Sequence, residues 1–302
     1  MKQRAASSGQ RAGTHDLPPA ARRPLPAAFV IATRDELWLR GRLVESRLSH
    51  GEAIEDERGI VASDARDDAL VAICGRELER MHEAMPKDAR VRLVATASSD
   101  EVASTMTIGL RGLSIVTSPE HAREDYELLR AIVAIEPNGE PVDYRGLPMI
   151  WRNGSAAVLL HEAIGHAKEH DHAPIAWPSW LEVDVPLRMR RETFRDVPLL
   201  RMTTLIARQH DAPSANAEIE ILLVAGGSYE PLTQTITLRI AAADHAGRRL
   251  PPFDIRASRE EVARAILGGE GETLRYPGVV CSREGQELVV GSYAPAIVTV
   301  FR

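Results

Sequence analysis

Ser155-Ala156-Ala157-Val158-Leu159-Leu160-His161-Glu162-Ala163-Ile164-Gly165-His166 is the stretch around which the rest of the sequence is best read. It is apolar from Ala156 to Leu160 and then presents two imidazoles and a carboxylate. Ser155 is placed to cap a helix that begins here. Such an apolar half-helix carries its C-terminal neighbours into the interior, and a buried His-Glu-His group needs something to satisfy its polar atoms. Neutral imidazole is a good zinc ligand, and three protein ligands plus a water make a catalytic zinc site. A carboxylate beside the first ligand can take a proton from metal-bound water, whose pKa the metal lowers to about 7. His161 and His166 are therefore candidate ligands, and Glu162 is a candidate general base.

The spacing needs a distortion. Ligands four residues apart lie about 40° apart around a regular helix, whereas five apart gives about 140°. A one-residue π-bulge would bring His161 and His166 back to a common face, and Gly165 makes local distortion easier. The helix is expected to widen or end at this motif.

Two ligands are too few, and a third must come from elsewhere. Glu169, His170, Asp171 and His172 are close in sequence, although His170 and His172 also read as a polar turn after the helix. Cys281 lies in Tyr276-Pro277-Gly278-Val279-Val280-Cys281-Ser282-Arg283-Glu284-Gly285-Gln286, where a glycine-flanked turn could present a thiolate. A buried core cysteine fits the same residues.

Working outward, the second half continues with strand candidates at Ile219-Glu220-Ile221-Leu222-Leu223-Val224 and Thr235-Ile236-Thr237-Leu238-Arg239-Ile240. Ser258-Arg259-Glu260-Glu261 is a capping box opening a short helix that stops at Gly268-Gly269. Strands are expected next near Val279-Val280, Leu288-Val289-Val290 and Ala296-Ile297-Val298-Thr299-Val300. The first half reads differently. From Phe29 onward the pattern is strand-like, with a turn expected at His50-Gly51 and a short strand at Gly59-Ile60-Val61-Ala62. Ser63 or Asp64 can cap a helix whose Leu70, Ile73, Cys74, Leu78, Met81 and Met85 recur at helical spacing, with Asp67 and Asp68 at its positive end. Cys74 falls on that apolar stripe and is expected in the core. Val91 to Ala95, Thr105 to Ile108 and Leu113 to Thr117 read as successive strands. Ser118-Pro119-Glu120 is a good helix opening, yet Ile132-Val133-Ala134-Ile135 before Pro137-Asn138-Gly139 reads as strand then turn, so a strand is expected over residues 127–135.

Composition limits the function classes. The chain has 302 residues, 44% hydrophobic and 26% charged, which suits a globular protein with a real core. A net charge of −6 argues against a nucleic-acid partner held by phosphate neutralisation. No apolar run approaches the roughly 18 residues of a membrane helix, so no membrane partner is expected. Two distant cysteines, Cys74 and Cys281, fit a reducing cytoplasm. Residues 1–28, rich in Arg, Ala, Ser and Pro, read as a poorly ordered tail without a secretory h-region. Of the other histidines, His15 lies in the tail, His50, His82 and His121 sit in polar surroundings, and His210 and His245 neighbour Asp211 and Asp244, which points to a surface role; the run from Arg188 to Arg195 reads as a solvated face.

These motifs resemble the TldD/PmbA metallopeptidases. Val158 to His166 is similar to that family's HExxxH segment, and Pro277-Gly278-Val279-Val280-Cys281 with Gly285-Gln286 and Val290-Gly291 resembles its C-terminal ligand stretch. Arg201-Met202-Thr203 resembles an element between the two, with Thr204 where the family usually has Asn. His170 stands where Gly is usual, and the chain is shorter than most members. The loop with Gly146, Pro148, Asn153 and Gly154 places a domain boundary near residue 150, and the resemblance implies an α+β fold, with a mixed N-terminal domain over residues 29–150 and a β-rich metallopeptidase domain over residues 151–302. It implies Zn2+ held by His161, His166 and Cys281, with Glu162 as general base. The expected activity is hydrolysis of short or unfolded peptides, such as maturation of a peptide precursor. The expected assembly is a homodimer, or a heterodimer with another TldD/PmbA-family subunit. The alternative is a non-catalytic or conditionally active partner subunit of such a complex.

Overall fold

The computed structural model describes residues 28–56, 59–62, 68–98, 102–191, 198–283 and 286–302. Residues 1–27 of the expected tail, the expected caps Ser63 and Asp64, and Asp67 lie outside these residues, while Ala28 opens β1. The first half runs β1 (Ala28–Leu39), β2 (Arg42–Asp56), β3 (Gly59–Ala62), α1 (Asp68–Ala84), β4 (Arg90–Ser98), β5 (Val102–Leu110), β6 (Leu113–Thr117) and α2 (Ala122–Val133). Then come β7 (Met149–Trp151), α3 (Ala156–Leu160), a π-helical turn (His161–Gly165) and α4 (His166–Glu169). The chain continues through β8 (Leu181–Asp184), β9 (Leu187–Arg191), β10 (Pro198–Met202), β11 (Thr204–Gln209), β12 (Ile219–Glu230) and β13 (Thr235–His245). It closes with β14 (Arg248–Arg249), β15 (Phe253–Ser258), α5 (Arg259–Ala265), β16 (Ile266–Arg283) and β17 (Gln286–Thr299). The fold is mixed α+β and rich in strand.

Among the described residues, fifteen strands form one large sheet in the order β14-β13-β12-β7-β17-β16-β6-β5-β4-β1-β2-β3, with β11, β8 and β15 attached beside this path. β9 and β10 form a separate antiparallel pair. The strands from β6 to β3 pair antiparallel, and α1 covers them. Leu70, Cys74, Leu78 and Met81 are buried along one side of α1 against Val91, Leu93, Ala95 and Ala97, which alternate along β4. Cys74 is a core residue, as expected, with its thiol 3.6 Å from the Ala95 carbonyl.

Two local expectations for this half are corrected. Residues 127–135 are not a strand, because α2 continues to Val133. Ala122, Asp125, Leu129 and Ile132 are its buried residues, a helical stripe that packs on β6. The β-branched run at its end misled because burial of one helical face outweighs β propensity. The chain also does not turn at His50-Gly51. β2 pairs continuously there, with His50 opposite Ala32 and Gly51 opposite Ile31. The reversal is at Arg40-Gly41, both at positive φ (50° and 73°), where a glycine relieves a tight hairpin.

The second half positions the motif. β7 is buried between β12, which it pairs in parallel, and β17, which it pairs antiparallel. Trp151 donates from its buried indole N–H to Thr299 Oγ1 at 2.9 Å. Asn153 and Gly154 come next at positive φ (54° and 72°), turning the chain off the sheet into α3. A Cβ on Gly154 would stand 2.8 Å from the Leu274 carbonyl oxygen of β16, so only glycine lets the helix start lie this close to that strand. Ser155 does not cap α3. Its backbone is helical and its hydroxyl instead donates to the Ile221 carbonyl at 3.4 Å. The capping box at α5 forms as read, with Ser258 Oγ accepting from the Glu261 N–H at 3.1 Å. That helix ends at Ala265, and Gly268 and Gly269 already belong to β16.

Among the described residues no helix is long and apolar enough to cross a membrane.

Candidate metal centre

Every residue of α3 and of the π-turn is buried. The turn widens the helix by one residue, and the His166 N–H donates to the His161 carbonyl, five positions back. This is the distortion that the spacing requires. The two imidazoles stand edge to face, with ring centroids 5.0 Å apart. Gly165 makes room for the tight packing: a Cβ there would lie 2.5 Å from Met202 Cε.

Cys281 completes the group. One ligand atom each from His161, His166 and Cys281 lie within 4.8 Å of one another, and all three residues are buried. Cys281 Sγ is 3.6 Å from His166 Nε2. Zinc bonds of roughly 2.3 Å to sulfur and 2.0–2.1 Å to nitrogen at a tetrahedral angle would separate those atoms by about 3.5 Å. β16 delivers the thiol, in register opposite Leu288 of β17. His161 is fully buried and neither ring nitrogen has a hydrogen-bond partner. An imidazole left in that state is costly, and a cation on one nitrogen accounts for it. The cluster could hold a metal ion.

The other candidate ligands take different roles. Glu169 Oε2 is 2.9 Å from His166 Nδ1. A proton on Nδ1 donated to that carboxylate orients the ring so that Nε2 faces the thiol. Its second oxygen accepts from the Met202 N–H at 2.7 Å and from Arg201 Nε at 3.2 Å. Arg201 is wholly buried, and its Nη2 donates to Cys281 Sγ at 3.0 Å and to the Cys281 carbonyl at 3.2 Å. His172 is not a ligand: its Nδ1 lies 2.5 Å from the Tyr229 hydroxyl. His170 stacks near His172, and the Tyr229 ring lies parallel to His166 with centroids 6.1 Å apart. Asp171 is exposed, at positive φ (53°), in the turn that ends α4. His210 meets Glu182 at 3.0 Å and not the adjacent Asp211. Arg188 and Met189 are exposed, in keeping with a solvated face, while residues 192–195 lie outside the described part.

Electrostatics separate the titratable groups. Burial, with the charge of His166, pushes His161 down to about 3, so it is a neutral donor. Burial pulls His166 down too, but its hydrogen bonds to Cys281 and Glu169 prevail and hold it at about 10. Burial acts against the ionised form of Glu169, yet the bonds from His166 and the Met202 N–H keep its carboxyl below the ordinary value. Burial raises Glu162 to about 7. Its Oε2 has no hydrogen-bond partner and stands 3.6 Å from His166 Nε2. Glu162 packs on Gly227 of β12, where a Cβ would come within 2.6 Å of Glu162 Oε1.

Glu169, weighed above as a ligand for its closeness in sequence, instead bonds His166 Nδ1, and Arg201 reaches the group from β10. Glu169 sits three residues after His166, so a helix puts the two on one face. Arg201 carries no local signal of burial.

The architecture is thus an α+β chain with a large mixed sheet and a buried His-His-Cys group capable of holding a metal. No protein-family model matches the chain, and no curated protein matches it in sequence. Among solved structures it is similar to TldE from Thermococcus kodakarensis, a TldD/PmbA family member, at a TM-score of 0.44 and 11% identity, over 91% of this chain and 95% of that one.

Proposed function

We propose that the chain is a zinc-dependent peptidase of short or unfolded peptides, with zinc on His161, His166 and Cys281 and Glu162 as general base. The observation that carries this reading is a buried imidazole, His161, with no hydrogen-bond partner, next to a buried Glu162 carboxylate oxygen that accepts no hydrogen bond and faces only the charge of His166 at 3.6 Å. Two imidazoles and a thiolate are a donor set suited to zinc. When bound, zinc supplies a Lewis acid that polarises a carbonyl and acidifies water.

Glu162 does the proton work in this scheme. Its free oxygen accepts a proton from the attacking water and hands it to the leaving amine. Its burial keeps the carboxylate's affinity for a proton high until a cation arrives. Gly227 lets the strand backbone come against the carboxylate and fixes where it points.

β12 supports a peptide as the substrate. It pairs with β7 only from Ile219 to Ile221, and farther along it pairs only with β13 among the described residues. Tyr276 hydroxyl bonds both the N–H and the carbonyl of Val224. Residues 225–228 beyond it are exposed, and Gly227 among them lies against Glu162. An extended chain can hydrogen-bond such an edge through its backbone, whatever its side chains. The four residues of the centre all come from residues 151–302, which we take as the hydrolytic domain. A dimer with a second copy or another TldD/PmbA-type subunit belongs to the same reading.

The test is to load purified protein with one equivalent of zinc and incubate it with a mixture of unstructured peptides. Mass spectrometry should detect cleavage that disappears on chelation. Zinc-loaded protein that leaves every peptide intact would overturn the peptidase reading.

A further inference from the structure

We infer that Arg201 is a positioning residue of the centre, a guanidinium that locks Cys281 and the orienter of His166 into one rigid unit before any metal arrives. The inference rests on the metal reading above and extends it to a residue outside the ligand set.

Arg201 is at 0% exposure, and both ends of its fork are engaged. Nε donates to Glu169 Oε1 at 3.2 Å. Nη2 donates to Cys281 Sγ at 3.0 Å and to the Cys281 carbonyl at 3.2 Å. Glu169 in turn holds His166 Nδ1 at 2.9 Å. One continuous chain of hydrogen bonds therefore runs from the sulfur through Arg201 and Glu169 to the imidazole.

The geometry matters because the ligands come from different elements. His166 begins α4, while Cys281 rides on β16, and only the fold brings them together. Arg201 belongs to β10, a third element, which pairs with β9 and not with the large sheet. Its neighbour Met202 closes on the same helix, its N–H on Glu169 at 2.7 Å and its side chain against Gly165. A planar fork spans a carboxylate and a sulfur with two separate nitrogens in fixed geometry, whereas an ammonium must direct all its donors from one compact nitrogen. An N–H bond to a thiolate also withdraws electron density from the sulfur. Outer partners of metal ligands affect affinity by about 10–100-fold when removed.

The experiment compares wild-type protein with Arg201→Met, which removes every donor, and Arg201→Lys, which keeps the charge but loses the fork. Circular dichroism first establishes that each variant folds. Zinc affinity is then measured by chelator competition, and the cobalt(II) form is examined in the near ultraviolet for its thiolate-to-metal charge-transfer band. The expected result is an affinity about 10–100-fold weaker in each folded variant, with the band of Arg201→Met moved to longer wavelength. Should Arg201→Met fail to fold, the affinity of Arg201→Lys decides, with Glu169→Gln expected to weaken binding by a similar factor. Folded variants that match wild type in affinity and band position would overturn the positioning role and leave the metal reading intact. Wild-type protein that takes up neither ion would remove the metal reading, and this inference with it.

Discussion

His166 Nε2 stands 3.6 Å from Cys281 Sγ, although 115 residues separate them in the chain. The pair is made by tertiary structure alone, by β16 passing the end of a distorted helix. Replacing the thiol tests whether that meeting has a purpose. Cys281→Ser is expected to lower metal affinity by more than the about 10–100-fold that loss of an outer partner costs. Metal analysis of extensively dialysed wild-type and variant protein gives the answer, and equal zinc content in both would argue against a ligand role for the sulfur.

Glu162→Gln should separate binding from chemistry. The amide keeps the shape beside Gly227 but cannot accept a proton, so zinc content should hold while turnover falls by about 10²–10⁴-fold, the usual weight of general-base catalysis. Peptide cleavage and bound metal are measured on the same sample. A Glu162→Gln protein that cleaves at the wild-type rate would assign the base elsewhere.

Gly227→Ala probes the same carboxylate from the other side. The new methyl would stand 2.6 Å from Glu162 Oε1 and 2.7 Å from its Cγ, too close to tolerate without displacing the side chain. The expectation is a fall in kcat with metal content and melting temperature nearly unchanged. A fall in metal content of the same size would mean that the strand shapes the whole centre.

Gly154→Ala tests the scaffold. This residue combines φ of +72° with a backbone oxygen 2.8 Å from where a Cβ would sit, so both conformation and space oppose a side chain. We expect a loss of about 1–3 kcal/mol in unfolding free energy, read by urea denaturation of the metal-free protein. A variant as stable as wild type would show that the start of α3 can shift away from β16.

Glu120 provides a pH marker remote from the centre. Its carboxyl is held at about 2 by hydrogen bonds from the Ser118 side chain and its own backbone N–H, and from Arg80 of α1. A lowered carboxyl stabilises the fold at pH values above its ordinary 4.5, and this contribution fades as pH falls towards 2. Because the side chain is 60% exposed, the effect on global stability is small. An NMR titration of the Glu120 carboxyl should give a midpoint well below the other exposed glutamates, and Arg80→Ala should raise it.

The sequence exposes the histidine pair because its chemistry is local, whereas Cys281 is singled out only by the family resemblance. Two histidines five apart on an apolar helix demand a bulge, and the π-turn over His161–Gly165 supplies it. The capping box at Ser258 was legible for the same reason, since donor and acceptor are three residues apart. What stayed hidden depends on distant partners. The strand pattern at Ile132-Val133 gave way because Leu129 and Ile132 bury a helical face on β6, which no local window contains. His172 could be weighed as a ligand because nothing nearby reveals its bond to Tyr229, 57 residues on. Arg201 is marked only through the likeness of Arg201-Met202-Thr203 to a family element, and a charged residue in a strand gives no sign that a carboxylate and a sulfur await it in the interior.

The wide turn in the motif helix has a mechanical consequence. A π-helical segment trades regular winding for a placement of two rings that ordinary winding forbids, so it stays wound only while something rewards the placement. Here Met202 of β10 packs on Gly165 and Cys281 of β16 meets His166, both at the C-terminal end of the turn. If the β16–β17 hairpin peels away, the helix is free to rewind, the rings diverge, and a metal held there would lose its seat. Metal release and hairpin opening should then be a single event, and hydrogen exchange at the His166 amide would report both.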